Sequence, residues 1–303
     1  MQHIKQTRVG LIVIILSLVC FVPAFAGSEV VRPLGERNPS TAQEAKKLQT
    51  DKAAELNVPV EKTVNIAENI NIDLVFIPQG KFHMGSPRDI AKSENDERPL
   101  HQVNITKGFY MSKYEVTQKQ YLAIMKYHKG LQFVGDQLPV DNIEWYEANT
   151  FIEKLSQQTK LKFRFPTEAE WEYACKAGTE TPFYTGNTIG PDQANYDCES
   201  TYMGGPQGSP YGETRPVGSY PANPFGLYDM HGNVWEWCAD WYDDNYYKFS
   251  PEDDPQGPHK GGKKVIRGGA WSQDPDKLRS ADRRARDPKS DRENVGFRLA
   301  LDL

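Results

Sequence analysis

Cysteine is scarce in this sequence: there are four among 303 residues, and none follows Cys238. No two stand in a C-x-x-C pair, which removes the usual signature of a structural zinc site or a thioredoxin-like centre. The six histidines include no H-x-x-x-H pair. Positive charge is not in surplus. The 36 Lys and Arg against 41 Asp and Glu leave a net charge of −5, so the basic face that a nucleic-acid binder presents to phosphates is missing. Beyond the first 30 residues no stretch is apolar enough to span a bilayer. Between positions 27 and 70 there is no Trp, Tyr or Phe. No internal repeat is present, which excludes a solenoid or propeller.

Aromatic residues are plentiful elsewhere. Six Trp, 15 Tyr and 13 Phe supply enough apolar area for a core. The 21 Pro and 24 Gly argue against a helical bundle or coiled coil. Lys5 and Arg8, an apolar run from Leu11 to Val22 and Ala24-Phe25-Ala26 compose a signal peptide over 1–26. The mature chain is expected to start at Gly27, outside the cytoplasm, in the periplasm or secreted, with no membrane span left after cleavage. Cys20 leaves with the leader. Cys175, Cys198 and Cys238 remain, and in an oxidising compartment one disulfide and one buried thiol are expected, the pairing left open.

Residues 27–70 read as a polar linker containing a short helix over Thr41–Leu56, and 71–303 as one domain. Leu74–Ile77 and Lys81–Met84, separated by Pro78-Gln79-Gly80, look like a hairpin. Thr117 and Gln120 make a capping box that opens a helix, as do Thr167 and Glu170. Trp145, Ala148, Ile152 and Leu155 fall on one helical face. From Pro182 to Pro224 the chain reads as loop, a length that is usually functional or metal-braced.

Several ordered segments carry a resemblance. They are Phe76-Ile77-Pro78-Gln79-Gly80-Lys81-Phe82-His83-Met84-Gly85-Ser86, Tyr114-Glu115-Val116-Thr117, Leu138-Pro139-Val140 with Trp145, and Arg164-Phe165-Pro166-Thr167-Glu168-Ala169-Glu170-Trp171-Glu172. Phe225-Gly226-Leu227-Tyr228-Asp229-Met230-His231-Gly232-Asn233-Val234-Trp235-Glu236-Trp237, Arg267-Gly268-Gly269-Ala270-Trp271 and Asn294-Val295-Gly296-Phe297-Arg298 follow. Together they resemble the formylglycine-generating enzyme, or sulfatase-modifying factor, domain family. The resemblance implies an α+β, C-type-lectin-like fold with little regular secondary structure, braced by calcium. It also implies two calcium ligand sets: Asp229, Gly232, Val234 and Glu236; and Asn195, Tyr196 and Tyr211, where the family's carboxylate position falls on Ser209. Hard oxygen donors of this kind suit calcium.

The family's copper oxidases carry a serine after the two glycines and then two cysteines. The matching positions here are Ala270, Gln273 and Leu278, so the soft thiolate pair that suits Cu(I) is missing and copper is not expected. The resemblance therefore implies an exported domain that binds a peptide, protein or small molecule in the family groove, with Trp235, Ala270, Gln273, Leu278, Arg283 and Arg286 as candidate groove residues. Another kind of maturation oxidoreductase on the same scaffold, formylglycine generation included, is the alternative. Trp235, Trp237 and Trp241 otherwise read as core. Arg279, Arg283, Arg284, Arg286 and Arg292 otherwise read as a salt-bridged surface, because Asp274, Asp276, Asp282, Asp287 and Asp291 interleave with them. Expressed in an exporting host, the protein is expected to begin at Gly27 on N-terminal sequencing. An intact Met1 in the membrane fraction would contradict the cleavage site.

Overall fold

The computed structural model describes residues 41–128, 130–291 and 294–303. The signal peptide, Cys20, the start of the polar stretch and Arg292 lie outside them. Thr41 caps helix α1 (Ala42–Glu55), its hydroxyl accepting the Glu44 N–H. This helix is not a free linker element. Its Gln49 is buried and donates to the carbonyls of Phe76 and Phe225, each at 2.8 Å. Strands β1 (Glu61–Ala67) and β2 (Ile70–Ile77) follow, so the sheet begins ten residues before the expected domain boundary. The alternating apolar residues of β1, Val64 and Ile66, turn into the core, which a count of aromatics does not reveal.

After these come β3 (Gly80–Met84), β4 (His101–Ile105), β5 (Phe109–Ser112), α2 (Gln118–Met125), α3 (Trp145–Thr159), β6 (Phe163–Arg164) and α4 (Glu168–Lys176). The C-terminal part adds β7 (Trp235–Trp241), β8 (Lys264–Arg267), β9 (Arg283–Arg286), β10 (Val295–Gly296) and β11 (Ala300–Asp302). One sheet runs β1-β2-β5-β11-β6 and is antiparallel throughout. A second runs β10-β7-β8-β9, and β10 lies parallel to β7. The third pairs β3 with β4. The architecture is α+β.

The expected hairpin of β2 with β3 does not form. Both flanks of β2 are taken, by β1 and β5, so Pro78-Gln79-Gly80 is a corner from one sheet into another. Gly80 is required there, because a Cβ would stand 2.5 Å from the Tyr173 hydroxyl. Both capping boxes are present, at Thr117/Gln120 and Thr167/Glu170. Helix α3 buries Ala148, Phe151, Ile152 and Leu155, the face its spacing specifies. Between α4 and β7 there is no helix or strand among the described residues. That loop instead packs its own cluster of Phe183, Ile189, Ala194, Tyr196, Cys198 and Tyr202 around Leu278. The three described cysteines are free, buried thiols, so the expected disulfide is absent. Cys175 and Cys238 are packed in one core cluster and Cys198 in another.

Asp240 sits at the start of α4, where its carboxylate accepts the Glu168 N–H at 2.8 Å. Burial, aided by the neighbouring Glu168, pushes its carboxyl up from 3.8 to about 8. The folded chain then holds a proton that the unfolded chain releases near pH 4, so stability falls as pH rises between those values. Asp240→Asn keeps an acceptor and removes the titration. Its melting temperature is expected to match the parent's near pH 4 and to exceed it by several degrees at pH 8. Parallel pH profiles in calorimetry would contradict this.

Candidate functional site

The polar interior is built first by α4. Its glutamates Glu168 and Glu172 are one turn apart, so they share a face. Glu168 accepts both prongs of Arg283, at 2.8 and 2.7 Å. Glu172 accepts from Arg267, from Lys176 at 2.9 Å and from the Gly85 N–H at 2.8 Å. Burial pushes the Glu172 carboxyl up, but Lys176 and Arg267 more than offset it, leaving it below its usual range. Glu170, on the outer face, pairs with Arg164 at 2.6 Å. Trp171 donates its indole N–H to Glu236 at 2.7 Å. Arg298 closes on the same Glu236 through Nε and Nη2, each at 2.6 Å. Arg279 grips Glu97 in the same two-pronged way, both bonds 2.7 Å. Bidentate pairs of this kind are the geometry in which a buried guanidinium is tolerated.

A second knot centres on Asn233, which has φ +61. Its carbonyl oxygen accepts the Arg215 N–H at 2.9 Å and the Asn195 side-chain amide at 3.1 Å. Its own amide donates to Glu115 at 3.0 Å. Its backbone links Asn195 and Trp271. Two buried oxygens around this knot, Asn195 Oδ1 and Thr214 Oγ1, have no partner among the described residues, and the buried carboxyls of Glu115 and Asp229 meet each other. Burial and the neighbouring Asp229 raise the Glu115 carboxyl well above its usual range. Burial raises Asp229 itself to about 6, although it accepts the Gly218 N–H at 2.6 Å.

These placements bear on the two calcium ligand sets. In the set Asp229, Gly232, Val234 and Glu236, both oxygens of Glu236 already take N–H groups from Arg298 and Trp171. In the set Asn195, Tyr196 and Tyr211, the Asn195 oxygen is buried and lacks a partner, which is the donor chemistry a hard cation completes. Tyr211 lies on the surface, its ring 4.1 Å from the Arg215 guanidinium. The residues present therefore fit a hard cation at Asn195 better than at Glu236. Among the described residues no group of three or more His, Cys, Asp and Glu stands together in a way that holds a metal.

The candidate groove residues are dispersed. Trp235, Ala270 and Leu278 are core, and Arg283 is buried on Glu168. Leu278 fills the space over Gly269, where a Cβ would lie 2.6 Å from its Cδ1. Its carbonyl accepts the Nδ1–H of His231 at 2.7 Å, while Nε2 of that ring takes the Tyr184 N–H. Gln273 is partly exposed beside Ser272. Arg286 lines a polar cleft of about 770 Å³ with Gly130, Leu131, Gln132, Asn142, Ser290, Asp291 and Asn294. Asn294 donates to Ser272 at 3.1 Å, and Phe133 meets Trp271 edge-on at 5.7 Å. The Trp271 indole N–H is buried without a partner among the described residues. The cleft residues Gln132, Asn142 and Asn294 have no charge or spacing that marks them in the sequence. The order of the Arg267–Trp271 segment is the one signal that points to this place.

A model described as the sulfatase-modifying factor enzyme 1-like domain matches residues 61–303. The chain is similar to a protein of Chlamydia caviae named serine/threonine-protein kinase pkn1, 34% identical over 256 residues, which make up 75% of this chain and 38% of that one. It is similar to the formylglycine-generating enzyme of Streptomyces coelicolor, 35% identical over 176 residues, 54% of this chain and 52% of that one. The chain thus spans only two fifths to one half of these curated relatives. Among solved structures it resembles PvdO from Pseudomonas aeruginosa, with 30% identity, a TM-score of 0.68, and coverage of 80% of this chain and 98% of that one.

Glu236→Gln leaves the buried Arg298 unbalanced. The expected loss of stability is about 3–5 kcal/mol, with and without calcium alike. Pairing it with Arg298→Met is expected to recover part of the loss. Denaturant melts of the single and double variants check both, and equal stability of Glu236→Gln and parent would remove the pair from its central place.

Proposed function

The chain belongs to the sulfatase-modifying factor enzyme 1-like domain family, and from that premise we propose that it binds a small polar ligand or a peptide in the cleft beside Trp271, without copper-dependent formylglycine generation. The observation that carries the reading is the segment after Arg267-Gly268-Gly269. Where the copper oxidases hold thiolates, this chain has a surface amide, Gln273, and a core leucine, Leu278. No cysteine replaces them. Burial pushes the Cys175 thiol up to about 12 and Cys238 well above its usual value, so neither is a thiolate near neutral pH.

What stands at the cleft is recognition chemistry. Asn142, Gln132 and Asn294 carry amide donors and acceptors into it, Arg286 and Asp291 line it with partners of their own, and Trp271 stands behind it through Phe133 and the Ser272–Asn294 contact. A cleft of about 770 Å³ has the size of a small-molecule site. Calcium belongs to this reading as a brace. Asn195, with the backbone of Tyr196 and Tyr211, would hold it, and it would supply positive charge to a loop whose buried acids Glu115 and Asp229 lack enough of it. The reading includes export: residues 1–26, read as a leader peptide, would carry this activity out of the cytoplasm.

The test uses a labelled C-x-P-x-R peptide, followed by anisotropy for binding and by mass spectrometry for conversion. Saturable binding is expected, with no loss of mass when copper is added. Asn294→Ala and Trp271→Phe are expected to weaken binding about five- to tenfold, the effect of one lost hydrogen bond. Copper-dependent conversion of the thiol to an aldehyde would replace this reading with formylglycine generation. Absence of saturable binding would remove the sulfatase-like peptide as a ligand.

A further inference from the structure

A larger groove, about 1530 Å³, runs between α3, β6 and the end of β11. Its walls include Ile105, Phe109, Ile152, Phe163 and Phe165. At one place in it stands Lys264, only 5% exposed. Its ammonium lies 4.0 Å from the Trp241 ring and 4.2 Å from the Trp145 ring. Its one hydrogen bond goes to the Ala239 carbonyl at 2.5 Å. No carboxylate pairs with it among the described residues. A buried ammonium is ordinarily paired, and burial lowers this one to about 8, which Asp240 only partly offsets.

Other lysines of the groove are also unpaired. Lys107, Lys160 and Lys162 line it with no carboxylate partner among the described residues. The carboxylates there are engaged elsewhere: Glu170 and Asp302 on Arg164, Asp254 on Thr106, and Glu153 on the Asn149 amide. Gln79 adds a buried carbonyl oxygen with no partner, free to accept a main-chain N–H.

We propose that this groove binds an extended segment of a partner protein that alternates apolar and acidic side chains, one carboxylate completing Lys264 between the two indoles. The volume exceeds the usual small-molecule range of about 300–1,000 Å³ and suits several residues of chain. Strand addition is not the mode, because both backbone groups of Phe163 on the β6 edge are bonded to Ser156. A flat anionic membrane does not reach Lys264, which is enclosed on two faces by Trp145 and Trp241. This site is separate from the cleft at Trp271 and does not rest on that reading.

The probe is a labelled eight-residue peptide of alternating Leu and Glu, titrated into the full chain. Saturable binding that weakens with salt is expected. Replacing its Glu by Gln is expected to weaken binding at least tenfold. So is Lys264→Met, which keeps the apolar contact with both indoles. Lys160→Glu with Lys162→Glu, both at the rim, is expected to do the same without touching the core. Equal affinity for the Glu and Gln peptides would overturn the proposal, as would binding indifferent to the lysine variants. Lysine-dependent sedimentation with phosphatidylglycerol vesicles, in place of peptide binding, would overturn it in favour of a membrane surface.

Discussion

The structure depends on guanidinium groups held in two-pronged contact with carboxylates inside the protein. Glu168 with Arg283, Glu97 with Arg279 and Glu236 with Arg298 are such pairs, and Glu172 with Arg267 joins them through one prong. Regular structure is sparse here, and an irregular chain has many polar groups to satisfy. Buried ion pairs satisfy them at fixed directions, which a greasy contact does not. Three of these pairs tie a helix or loop to β7, β8 or β9, so the fixed geometry spreads from α4 into the β10-β7-β8-β9 sheet, while Glu97 with Arg279 joins two loop segments.

This explains what the ordered motifs report. In the segment Thr167–Glu172, Thr167 caps, Glu168 and Glu172 hold arginines, and Trp171 reaches Glu236. In Gly232–Trp237, Asn233 ties the loop, Trp235 packs the core and Glu236 holds Arg298. These residues are architectural. In the proposed reading, the chemistry belongs instead to the few positions around Trp271. A strong signature therefore reports the architecture and not the reaction.

Local features were legible in the sequence because their causes are local. Thr117/Gln120 and Thr167/Glu170 need only four residues to be recognised, and the α3 face follows from a 3.6-residue period. Long-range features were not. Whether β2 pairs with β3 or with β5 depends on strands 30 residues and more away. The stretch before residue 70 lacks aromatics, yet Val64, Ile66 and Gln49 bind it to the core. The arginine run near the C-terminus showed its charge balance but not its depth: Arg279 and Arg283 are buried, Arg284 and Arg286 only partly so. The cleft and the lysine groove are assembled from separate elements, and no single segment carries their pattern.

The closing pairs have a temporal meaning as well. They join residues separated by 62, 95, 115 and 182 positions along the chain. Arg298 is five residues from the last. Contacts of such separation form late, after long loops have been closed. The interior is therefore not completed piecewise from the N-terminus, because Glu236 stays unbalanced until the segment carrying Arg298 has been made and packed against it.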